Sequence, residues 1–122
     1  MSYATRRTRR PVGDPHRVVP RRLATQDLRD AAARYAAEAD AATARRFIDA
    51  VEQAFTTIAS QPGIGSPRYA VDLDWPGLRT HAVRGFPYLI FHVEQTDHLD
   101  LLRVLHAHRD IPVGLQDVEA EA

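Results

Sequence analysis

The stretch AATARRFIDAVEQAFTTIASQPGIG, residues 41–65, decides the fold. Phe47, Val51, Phe55 and Ile58 recur at the spacing of one helical stripe, and Ala44 and Ile48 widen it. Arg45, Asp49, Glu52 and Gln53 fall on the other faces, and Pro62, Gly63 and Gly65 stop the pattern. A helix over residues 41–60 is about 30 Å long at 1.5 Å per residue, enough to cross a small sheet.

Just upstream, Leu28, Ala32, Tyr35 and Ala39 form a second stripe, predicting a helix from Thr25 to Ala39 with Thr25 as its cap and Asp27 in its first turn. Asp40 is the natural break and the next N-cap, so the two helices should fold back as an antiparallel hairpin. Before them, His16 to Arg21 reads as a short strand closed by Pro20. After them, residues 61–77 form a loop punctuated by proline and glycine. Three strand-like runs follow, Leu78–Val83, Tyr88–Glu94 and Leu99–Leu105, joined by short breaks that suit an antiparallel meander. The apolar run Tyr88–Phe91 suits a central strand. The expected fold is α+β, in the order β-α-α-β-β-β, with the helical hairpin packed on one face of a small, mainly antiparallel sheet.

At 122 residues the chain suits one compact domain. Its boundaries are predicted as a flexible basic N-terminal arm at 1–15, a domain at 16–116 and an acidic C-terminal tail at 117–122. The net charge of zero hides an asymmetry: residues 1–22 carry seven arginines against Asp14 alone, and the rest carries the acidic excess. The run Arg6, Arg7, Arg9 and Arg10 would touch nucleic acid through phosphates, or be a solvated tail or an overextended gene start. Every one of the sixteen basic residues is arginine, which suits carboxylate or phosphate partners and also follows from a GC-rich coding bias. The absence of cysteine excludes disulfides, thiolate metal sites and cysteine nucleophiles. No run reaches the roughly 18 apolar residues of a membrane span, and the basic start lacks a secretory core, so a cytoplasmic location without membrane contact is expected.

Five segments, in order, carry a family resemblance. Ala24-Thr25-Gln26-Asp27-Leu28 is similar to an "A-x-x-D-L" helix start, and Phe55 to Gly65 to "F-x-x-L-x-x-x-P-x-x-G". Pro76-Gly77-Leu78-Arg79 matches "P-G-L-R", and Phe86-Pro87-Tyr88-Leu89-Ile90-Phe91 stands at "Y-[LVI]-I-[FY]-Y". Leu102-Arg103-Val104-Leu105-His106-Ala107-His108-Arg109-Asp110 is similar to "I-L-R-V-L-H-G-R-R-D", the most distinctive of the five. Across residues 17–112 the chain resembles the RelE/ParE superfamily of type II toxins, and within it the ParE branch. The resemblance implies a toxin neutralised by a cognate ParD-like antitoxin that lays a helix along the hairpin and an extended segment beside the sheet. Operator DNA would be met only through that complex. Characterised ParE toxins inhibit DNA gyrase, whereas relatives of the RelE branch cut messenger RNA in the ribosomal A site.

Cleavage of RNA needs groups that activate the 2′-hydroxyl, stabilise the transition-state charge and protonate the leaving oxygen. Nuclease-branch relatives carry an arginine on the middle strand and a tyrosine near the C-terminus. Tyr88 stands at the arginine's place here, and no tyrosine follows it. A gyrase-inhibiting binder is therefore expected rather than an enzyme. The alternatives are a ribosome-dependent endoribonuclease using His106, His108 and Arg109, or a degenerate toxin that only binds antitoxin. His106 and His108, two apart on a strand, would share a face and serve acid–base work or hold a metal; otherwise one packs and one is solvated. No third ligand can be placed from sequence, so neither metal nor cofactor is expected. Arg79, Arg84, Arg103, Arg109 and Asp110 are the candidate target contacts. Arg103 and Arg79 serve equally as structural ion-pair partners, with Asp110 or an antitoxin carboxylate opposite Arg103. Ala33 and Ala37, with Tyr35, are the candidate antitoxin contacts, because small side chains admit a second helix closely. Alanine's helix propensity explains the same composition, and Tyr35, Phe47 and Phe55 also suit a core.

Overall fold

The structure, a computed structural model, describes residues 17–121, with side chains to residue 118. The arm expected at residues 1–15 lies outside the described residues. The elements are β1 (Arg17–Pro20), α1 (Arg22–Glu38), α2 (Ala41–Ser60), α3 (Arg68–Asp72), β2 (Leu78–Ala82), β3 (Tyr88–Glu94), β4 (His98–His106) and α4 (Ile111–Glu121).

The hairpin and the meander stand where the hydrophobic periods put them. Asp40 caps α2, its Oδ1 accepting from the Thr43 backbone N–H at 2.7 Å. Phe47, Val51, Ala54 and Ile58 are buried on one side of α2. They pack with Ala24 and Ala31 of α1 against Ile90, Leu99, Leu101 and Val104 of the sheet. The sheet order is β1-β4-β3-β2, with β2, β3 and β4 antiparallel and β1 parallel to β4. β3 and β4 are both interior, and Leu101 through Leu105 of β4 is buried without a break. Such a run requires cover on both faces of the sheet.

That second cover departs from the sequence expectations. Residues 117–121, expected as an acidic tail, continue α4, and Val118 is buried within it. Ile111, Leu115 and Val118 lie on one stripe and pack with Leu78, Phe91, Leu102 and Leu105 on the face opposite the hairpin. Pro112 does not prevent this helix, because a first-turn residue has no intrahelical N–H bond to lose. Asp110 starts it: its carboxylate accepts from the Val113 N–H at 3.3 Å and its carbonyl from the Gly114 N–H at 3.1 Å. The loop after α2 also holds the short α3, which no sequence pattern predicts. Gly65 seats that loop against β2 with φ +103°, where a Cβ would stand 2.6 Å from the Thr80 carbonyl oxygen.

α1 begins earlier than expected, at Arg22, and its N-cap Arg21 makes no side-chain cap bond. Thr25 and Asp27 are thus inside the helix rather than at its start. β4 carries a register shift opposite Phe91 and His92: Phe91 pairs with Arg103, but His92 pairs with Leu101. The extra residue reverses the side-chain alternation. Leu99 and Leu101 face the hairpin, and beyond the bulge Val104 does so, while Leu102 and Leu105 pack on the opposite face.

Candidate functional site

The reversal matters because it sends His106, two residues after Val104, to the hairpin side at the end of the sheet. There the strand ends meet α1. Asp27, Ala31 and Arg34 are spaced i, i+4 and i+7 along α1, and with Asp30 they form one wall of a cavity of about 140 Å³. Tyr88, Val104, His106 and Arg109 form the rest.

Tyr88 opens β3 and is 95% buried, its ring edge-on to His106 at 5.3 Å between centroids. The exposed Arg34 donates from Nη1 to the Tyr88 hydroxyl at 2.8 Å. Behind Tyr88, the rings of Tyr35, Phe47 and Phe86 lie within 5.2 to 5.3 Å of one another. Tyr35 and Phe47 of this cluster pack against the Tyr88 ring, and burial with the neighbouring Tyr88 pushes the Tyr35 hydroxyl's pKa up. Arg34 and Asp30 were absent from the sequence expectations. Their signal was the line running from Asp27 through Ala31 to Arg34, adjacent to the apolar stripe of the same helix.

His106 ends β4, so His108 lies in the following turn and the two are not strand neighbours on one face. The turn nevertheless brings their rings to 5.4 Å. The His108 backbone N–H donates to His106 Nδ1 at 3.1 Å, so the neutral His106 carries its proton on Nε2. Arg109 is exposed, and its guanidinium has no partner among the described residues.

The remaining candidates separate by burial. Arg103 is 4% exposed and bound within the fold. Its Nε and Nη2 donate to Asp27 at 2.8 and 2.7 Å, and its Nη1 donates to the Gly114 carbonyl at 2.8 Å. Asp27 also accepts from the Val104 N–H at 2.9 Å, and Asp117 approaches Arg103 at 3.6 Å. The partner of Arg103 is therefore Asp27, not Asp110, and its position withdraws it from the candidate target contacts. Asp110 starts α4 and is not paired with Arg109. Arg79 is half-buried and donates to the Gly65 carbonyl at 3.1 Å. Arg84 is exposed in the turn between β2 and β3. Ala33 and Ala37 are exposed on α1, whereas Tyr35 is half-buried in the aromatic cluster. Among the described residues no three of His, Asp and Glu converge as metal ligands, and no helix is long and apolar enough to cross a membrane.

A search of curated protein sequences finds no match. Among solved structures, a chain described as "Chromosomal ParDE TA system from P. aeruginosa" shares the fold with a TM-score of 0.65. It is 17% identical, and the alignment covers 76% of this chain and 97% of that one. The family model described as "ParE toxin of type II toxin-antitoxin system, parDE" matches residues 18–111. That span runs from β1 through the hairpin, the meander and the cavity to the first residue of α4, and the chain accordingly belongs to the ParE toxin family.

Proposed function

We propose that this protein is a growth-inhibiting toxin that acts by binding, with DNA gyrase as its target and a cognate ParD-like antitoxin as its inhibitor. Family membership supports the toxin role. The observation that carries the choice of a binder is Tyr88: the first residue of the middle strand is a buried phenol, and β3 contains no arginine or lysine. The strand thus supplies no cation at the position where nuclease-branch relatives use one.

The antitoxin helix docks on the exposed alanines of α1, with Ala33 and Ala37 at its centre. Arg84 and Arg109, exposed at the loop ends of the sheet, make the target contacts together with Arg79, half-buried on β2. Operator DNA is met only by the toxin–antitoxin complex. A second reading, an endoribonuclease, is favoured by one observation: Arg34, His106 and Arg109 converge on a single cavity.

The purified toxin added to a gyrase supercoiling assay and to ribosomes carrying message separates the readings. Loss of supercoiling with intact message, relieved by the antitoxin, is the expected result. Cleaved message would replace the binder with the nuclease, and neither effect would leave a degenerate toxin.

A further inference from the structure

The cavity between α1 and the sheet end has an unusual balance of donors. Because the Tyr88 oxygen accepts from Arg34, its own O–H is left to donate. The His108 backbone holds Nδ1 of His106 as an acceptor, which leaves Nε2–H as a second neutral donor. Arg34 has N–H groups beyond the one given to Tyr88, and Arg109 has all of its own. On the other side, Asp27 is neutralised by the two-point contact with Arg103. Asp30 accepts from Gln26 at 2.8 Å and is the one lining carboxylate with no guanidinium bound to it.

Arg34 and Arg109, with Tyr88 and His106, thus line one cavity with Asp30, the one lining carboxylate that has no guanidinium partner among the described residues. Guanidinium groups match the oxygens of a tetrahedral anion, and extra neutral donors satisfy the remaining lone pairs. A volume of about 140 Å³ has room for a group of five heavy atoms. We propose that this cavity is a phosphate-binding site, seating one phosphate group of a nucleotide or nucleic acid. Arg34 and Arg109 clamp it, and Tyr88 and His106 donate to it. The site does not depend on gyrase being the target.

Calorimetric titration of the full chain at constant ionic strength tests the site. The probes are inorganic phosphate, adenosine 5′-monophosphate and a short single-stranded oligonucleotide, with chloride as the reference anion. Saturable binding is expected, weakened about tenfold by Arg34→Gln and by Arg109→Gln, the loss typical of a charge-assisted hydrogen bond. Arg68→Gln, on α3 and outside the cavity lining, should bind as the parent does. Because Arg109 is exposed and unpaired, its variant keeps the fold and remains informative if Arg34→Gln does not. Binding of all three probes identifies free phosphates as ligands, and binding of the oligonucleotide alone identifies the nucleic-acid backbone. The proposal is overturned if no probe saturates, or if Arg68→Gln loses as much affinity as Arg109→Gln.

Discussion

His92, on β3, is completely buried, and neither ring nitrogen has a hydrogen-bond partner among the described residues. The neighbouring Thr80 hydroxyl is orphaned as well. Burial, reinforced by the nearby His81 and Arg79, lowers the His92 pKa from 6.5 to about 4. Between those values the unfolded chain binds more protons than the folded one. Stability from this residue is therefore complete above about pH 6.5 and is lost as pH falls toward about 4, by up to about 3 kcal/mol. His98 shifts the opposite way through Asp97 and Asp100, so the variant His92→Leu is the proper reference. Urea midpoints at about pH 7 and about pH 5 should diverge for the parent and draw together for His92→Leu. An equal pH slope in both proteins would remove His92 as the cause. A lone histidine within Leu-Ile-Phe-His-Val says nothing of its partners, and its isolation became visible only in the packed sheet.

α2 is the element in which sequence and structure agree most closely, from the Asp40 cap to the stop at Gln61. The agreement has a local cause, because the cap bond and the apolar stripe both involve residues within a few positions. Asp40→Ala should destabilise the protein by removing the acceptor of the Thr43 N–H, while Asp40→Asn keeps most of the cap. Thermal unfolding of the two variants checks the order; equal losses would show that the bond at this cap is not what stabilises the helix start. α1 and α4 are less local. The start of α1 rests on the Arg21 N–H donating to the Leu101 carbonyl of β4 at 2.9 Å, a contact between distant residues. The last turns of α4, from residue 117 on, read as a tail because Asp117 and its acidic neighbours dominate the pattern, while Ile111, Leu115 and Val118 acquire meaning only against β4.

For the molecule as a whole, Arg103 is the tie that joins α1, β4 and α4, through Asp27 and the Gly114 carbonyl. Removing one partner leaves a buried charge uncompensated. Asp27→Ala should therefore lose about 3 kcal/mol or more, with Asp117 at 3.6 Å offsetting only part. The double change Asp27→Leu with Arg103→Met should be less destabilised than Asp27→Ala alone, because neither charge then remains inside. Guanidinium unfolding of the three proteins tests this; a double variant worse than the single one would mean that the tie contributes more than its ions cost to bury. The same Asp27 lines the cavity, so the fold and the candidate site share one carboxylate.

From the sequence alone came the helical hairpin, the meander and the family, since all three are written in short-range periods and motifs. It also singled out His106 and Arg109, which the structure places on one cavity. The tertiary structure alone decided which way those side chains face, because a one-residue bulge in β4 inverts the alternation after Leu101. It likewise assigned Arg103 to Asp27, across 76 residues of chain, and brought Arg34 to Tyr88, across 54. Such pairings depend on how whole elements cross, and no local spacing encodes that.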